Sequence, residues 1–228
     1  MEPDDIAQRV TVVRERLEAA ARRAGRDPAA VRLLAASKTQ PAAAVRAAYA
    51  AGVREFGENY VQEAVSKQAE LADLSGVTWH LIGHLQTNKA KIAAGAFSLI
   101  QTLDSARLAA ALARARPDPR MPVLIEVNLG AEASKTGAPP DQVQALIDAV
   151  REKVDVRGLM AIPPPGARPE DSRPFFARLR ELRDRLAAAT GLALSDLSMG
   201  MTEDFEIAVE EGATIVRVGR AIFGERAR

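Results

Sequence analysis

The chain is expected to fold as a single (β/α)8 barrel, the TIM-barrel class of α/β fold, with one extra N-terminal helix and one domain over residues 1–228. Three observations carry that expectation. Eight short β-rich runs alternate with Ala-rich amphipathic segments, and eight such units without a long linker favour a parallel sheet closed on itself. The first β-rich run leads into SKTQP rather than into the Gly-rich turn that an open, doubly wound sheet usually carries. With 228 residues, 47% of them hydrophobic and 27% charged, the chain can bury a sizeable core and is far from the composition of disorder.

The elements follow in order. From Asp4 to Gly25 the apolar residues Ile6, Val10, Val13 and Leu17 recur at helical spacing, and Gly25 stops the pattern. This is the extra helix. The strand runs are VRLLAAS, VREF, TWHLI, FSLIQT, VLIEVNL, VRGLMA, LALSDLS and TIVRVG. Helical patterns lie between them at about 41–51, 58–72, 87–94, 104–115, 139–152, 169–190 and 203–211. Pro117, Pro119 and the Pro163–Pro165 run fit surface loops or a loop over the barrel mouth.

Bulk composition excludes several partners. Thirty-one basic residues against thirty acidic ones leave a formal charge of +1, with no dense basic block and few aromatics to stack on bases, so nucleic acid is not an expected partner. Mixed charge runs such as REKVDVR and RLRELRDR read as solvated helix faces. Cysteine is absent, which removes disulfides and thiolate metal sites. The start MEPDDIAQRV has no secretory-signal pattern, and no stretch reaches the roughly 18 apolar residues of a membrane span. A cytoplasmic protein without a membrane partner is the expectation.

In such a barrel the strand C-terminal ends face the active-site mouth, so unusual residues there are informative. Lys38 directly follows the first run and precedes Pro41, a residue suited to a helix start. It is one of six lysines beside twenty-five arginines, which favours a deprotonatable amine over a fixed charge. An unperturbed lysine is neutral in only about one molecule in 2,500 at pH 7, so a nucleophilic Lys38 needs burial or a cationic neighbour. The alternative is a rim lysine in an ion pair.

The second run ends at REFGENY, where Gly57 would turn the backbone and Asn59 either points into the mouth or starts a helix. His80 and His84 are spaced H-x3-H on a strand and loop, which does not align them for a metal. After the seventh run, SMGMTED places Ser198, Met199 and Gly200 at a turn into a helix; after the eighth, Gly219 and Arg220 open another. Loops at these positions often hold phosphate on backbone N–H groups. Arg217 interrupts the apolar last strand, either paired with a carboxylate or facing inward. A rim lysine, a phosphate cup and an inward arginine together describe a site for pyridoxal 5′-phosphate (PLP).

The motifs SKTQ, FGENYVQE, WHLIGHLQTNK, VNLGAEASKTG, GLMAIPP and LSMGMTEDFEIAVEEGATIVRVGRAIFG, in this order, closely resemble the pyridoxal phosphate homeostasis protein family over nearly the whole chain. The resemblance implies a barrel similar to the N-terminal domain of alanine racemases, without their second, β-rich domain. It implies that Lys38 forms a Schiff base with PLP, that Asn59 lies beside the ring, and that Ser198, Met199 and Gly200 border the phosphate. Gly219 and Arg220 would donate backbone N–H groups, and Arg217 would face the pyridine nitrogen. Position 220 is often a small hydroxyl residue in the family, so Arg220 departs from the pattern and puts a side-chain phosphate contact in doubt. Lys135 would sit near the mouth.

The implied role is binding, buffering or delivering PLP without established turnover, in a monomer, with PLP-dependent apoenzymes as recipients. The competing class is a PLP-dependent enzyme such as an amino-acid racemase, which needs a second acid–base group opposite Lys38. The only tyrosines, Tyr49 and Tyr60, fall in expected helices. A Schiff-base aldolase on the same barrel would need no cofactor.

Overall fold

Eight parallel strands pair in chain order, and the last closes back on the first. The computed structural model describes residues 3–130, 136–164, 166 and 168–225. Helix α1 (Pro3–Arg23) comes first, followed by β1 (Arg32–Ala36), α2 (Ala42–Ala50), β2 (Glu55–Glu58), α3 (Val61–Glu70), β3 (Thr78–Leu81) and α4 (Ala90–Ala96). Then come β4 (Leu99–Leu103), α5 (Ala106–Ala115), β5 (Pro122–Glu126), α6 (Val143–Val150) and β6 (Asp155–Met160). The chain continues through α7 (Arg173–Thr190), β7 (Asp196–Ser198), α8 (Phe205–Glu210), β8 (Ile215–Val218) and α9 (Arg220–Phe223). The expected TIM barrel with its extra helix is the fold observed.

Both faces of each strand are covered, so the strands read as near-continuous apolar runs. Residues facing outward, such as Ala35, Phe56, Leu159, Leu197 and Val216, join the large core between sheet and helices. Residues facing inward form a separate small cluster of Leu34, Leu99, Leu124, Met160 and Ile215. Along α1, Ile6, Val10 and Val13 are each 1% exposed and Leu17 5%, which confirms the helical spacing.

Three local expectations change. Gly57 does not turn the chain: it lies inside β2, where an added Cβ would stand 2.4 Å from Leu34 Cδ2 and 2.9 Å from Ile82 Cδ1. The barrel interior has no room there for a side chain. Helix α3 starts at Val61, leaving Tyr60 ahead of it and 62% exposed. The run LALSDLS is a strand only from Asp196 onward, because Leu194 takes a left-handed φ of 40° that breaks the ladder.

Candidate functional site

The strand C-terminal ends surround a cavity of about 800 Å³ whose wall includes Ala36, Lys38, Asn59, Ile82, Ile162, Met201, Arg217, Gly219 and Arg220. Side chains alternate along a strand, so the inward series Leu34 and Ala36 continues to Lys38, which is half-buried on this wall. Asn59 comes from the turn after β2. Its backbone packs so closely on Gly83 that an added Cβ there would meet Asn59 O at 2.4 Å. Glycine at 83 therefore seats Asn59 at the mouth.

Arg217 enters the cavity from below. Only 4% exposed, it donates from Nη1 to Ser198 Oγ at 2.6 Å and from Nη2 to the Ala161 carbonyl at 3.0 Å. Ser198 Oγ donates to Gln101 Oε1 at 2.6 Å, and Gln101 Nε2 donates to His80 Nδ1 at 3.0 Å. His80 then carries its hydrogen on Nε2, 3.2 Å from Glu55 Oε2 but without hydrogen-bond alignment. A directed polar chain thus crosses the barrel interior from Arg217 toward its far end. Burial pushes the Arg217 guanidinium down to about 10, partly offset by Asp204 and Glu126, and it stays charged at neutral pH.

The remaining expected site residues divide. Gly219 and Arg220 line the cavity with Lys38, Asn59 and Arg217. Gly219 caps α9, and as at any helix start the first N–H groups lack partners inside the helix; that of Ala221 reaches Thr202 Oγ1 at 3.4 Å. The Arg220 guanidinium turns to Glu203 at 2.9 Å. Ser198, Met199 and Gly200 are buried behind this wall rather than on it. Gly200 has φ +88°, and a Cβ there would stand 2.4 Å from Ala208 Cβ. Only glycine makes that turn. Lys135 lies outside the described residues.

Neither His80 nor His84 meets the other at one point: His80 is buried in the barrel, and His84 Nδ1 stands 3.5 Å from Asp104 Oδ2. The sequence reading missed Gln101, Glu126 and the Glu58–Lys67 pair. Glu126, at the end of β5, accepts from Thr136 Oγ1 at 2.7 Å, and burial raises its carboxyl above the usual range. Charged residues at strand ends were the available signal for Glu58 and Glu126. Lys67 sat in an amphipathic helix and gave none.

A closed parallel barrel with a lysine after β1 and a buried arginine on β8, both facing one mouth cavity, defines a barrel of the alanine racemase type. The family model "Alanine racemase, N-terminal domain" matches residues 10–227. The chain is 50% identical to a pyridoxal phosphate homeostasis protein of Pseudomonas aeruginosa, over 97% of this chain and 96% of that one. It is 42% identical to the protein of that name from Escherichia coli K12, with 98% and 97% covered. The structure of PipY of Synechococcus elongatus with PLP bound is similar at a TM-score of 0.85 and 42% identity, covering 96% of this chain and 100% of that one. The chain belongs to the pyridoxal phosphate homeostasis protein family, within the alanine racemase N-terminal-domain barrels. The alanine racemase of Corynebacterium glutamicum shares the fold at a TM-score of 0.73 and 17% identity, over 99% of this chain and 62% of that one.

Proposed function

We propose that this protein holds PLP as a Schiff base on Lys38 and serves intracellular PLP homeostasis, buffering the cofactor or delivering it to apoenzymes, without catalytic turnover. The carrying observation is that one cavity gathers the Lys38 amine, the buried Arg217 guanidinium and the start of α9. These residues fit a phosphorylated pyridine aldehyde. An amine suits the aldehyde, a permanent donor suits the ring nitrogen, helix-start N–H groups suit the phosphate, and Ile82, Ile162 and Met201 offer apolar wall to the ring faces. The name carried by relatives at up to 50% identity and the PLP-bound PipY neighbour support the reading.

When bound, PLP supplies an aldehyde that condenses with amines and a ring that can accept negative charge. Arg217 bears on how far that chemistry runs. A guanidinium donates a hydrogen bond but hardly gives up its proton, so it would hold the ring nitrogen unprotonated and weaken the ring as an electron sink. Proton transfer at a substrate carbon also needs a second acid–base group opposite Lys38. Tyr49 Oη donates to the Ser75 carbonyl at 2.9 Å, away from the mouth, and Tyr60 does not line the cavity. The pairing of Tyr49 and the position of Tyr60 support a holder rather than a racemase. Among the described residues no helix is long and apolar enough to cross a membrane.

The protein loaded with PLP and dialysed is expected to keep a visible absorption band that Lys38→Ala abolishes. A band of equal strength in Lys38→Ala contradicts the assignment. In deuterated water with L-amino acids the loaded protein is expected to show negligible α-deuterium incorporation. Incorporation at the roughly 1–1,000 per second of ordinary enzymes contradicts the holder reading.

A further inference from the structure

We propose that the buried Glu58–Lys67 pair, together with the partly exposed Glu63, forms a positioning device that sets the backbone of Lys38 for reaction with PLP. The inference rests on the reading that Lys38 carries PLP. Lys67, on α3, is 5% exposed and spends all three ammonium donors: on Glu58 Oε1 at 2.6 Å, the Ser37 carbonyl at 2.8 Å and Glu63 Oε1 at 3.1 Å. Glu58, fully buried at the end of β2, also accepts from Ser37 Oγ at 2.7 Å. Glu63 Oε1 accepts from the Thr39 backbone N–H at 2.6 Å. The peptide groups immediately before and after Lys38 are therefore both gripped from α3.

Two costs converge on this spot. Thr39 has φ +63°, and a β-branched residue in the left-handed region is strained. A buried ion pair is commonly no more stable than an apolar pair of the same volume. Stability alone calls for neither. Both flank the residue that projects into the cavity, and the Glu63 contact holds Thr39 in its strained turn. None of the three side chains lines the cavity, so their effect acts through the orientation of Lys38.

The test replaces the pair together, as Glu58→Met with Lys67→Leu, so that no buried charge is stranded. Three quantities are read: the thermal midpoint, the affinity for pyridoxine 5′-phosphate, which lacks the aldehyde, and the rate at which PLP develops the Schiff-base band. The double variant is expected to fold, to bind pyridoxine 5′-phosphate within about twofold of the unaltered protein, and to form the band about 10- to 100-fold more slowly, the range a misplacement near 1 Å produces. Glu63→Leu is expected to slow the band likewise. Adding Thr39→Gly to that variant should restore much of the rate, because glycine adopts a positive φ freely. An unchanged rate in the double variant overturns the proposal, as does failure to fold or a parallel loss of pyridoxine 5′-phosphate affinity, either of which marks a merely structural role. Absence of the band in the unaltered protein overturns the PLP reading itself, and this proposal with it.

Discussion

At the scale of single residues, the directed chain through the barrel decides what Ser198 can do. Its hydroxyl hydrogen goes to Gln101 and its oxygen accepts from Arg217, so it has no hydrogen left for a phosphate. Ser198→Ala strands Gln101 Oε1 and loosens Arg217, and is expected to lower unfolding free energy by about 1–3 kcal/mol in urea titrations. The preference for PLP over pyridoxal should survive, because the phosphate is assigned to backbone N–H groups; its loss contradicts that assignment. Lys38 and Arg217 were legible in the sequence because each breaks an apolar strand pattern at a mouth position. The chain behind Arg217 was not. Gln101 and His80 look like ordinary alternating strand residues, and only closure of β3, β4, β7 and β8 around one interior brings them together.

At the scale of elements, the strand and helix alternation was legible throughout, while boundaries moved where side chains bond backbone. VREF was read as a strand from Val53, but Arg54 Nη1 donates to the Tyr49 and Val53 carbonyls and holds a turn, so β2 begins at Glu55. The mixed charges of RLRELRDR were read as a solvated face, and Arg178, Glu181, Asp184 and Arg185 are exposed, but Arg180 departs and joins Arg173, which precedes that run, in clasping the end of α8. Arg173 bonds Glu170, Glu210 at 2.8 Å and Glu211 at 2.9 Å, and Arg180 meets Glu211 at 2.6 Å. Arg173, with help from Arg23, holds the Glu210 carboxyl below its usual range. A depressed carboxylate contributes stability that is present above its unfolded pKa and lost as pH falls through its folded one. Arg173→Ala is therefore expected to destabilise the fold by about 1 kcal/mol at pH 7, allowing for solvent screening. The gap from the unaltered protein should shrink as pH drops below the ordinary carboxylate range. Thermal midpoints measured across that range check the sign, and a gap that widens toward acid contradicts it.

At the scale of the whole molecule, α1 packs on α2, α8 and α9, so the added helix spans the seam where the last unit meets the first. Arg16 reaches Glu206 at 2.9 Å and lies over the Phe205 ring at 4.8 Å, while Arg23 reaches Glu210 at 2.8 Å. The seam is also where the mouth cavity gathers its chemistry, with Lys38 after β1 and Arg217 and Gly219 from β8 and its exit. The most direct test of the account is borohydride reduction of the PLP-loaded protein, followed by proteolysis and mass mapping. A single phosphopyridoxyl group on the peptide containing Lys38 is the result expected. Its appearance on another lysine, with the Lys38 peptide unmodified, contradicts the account.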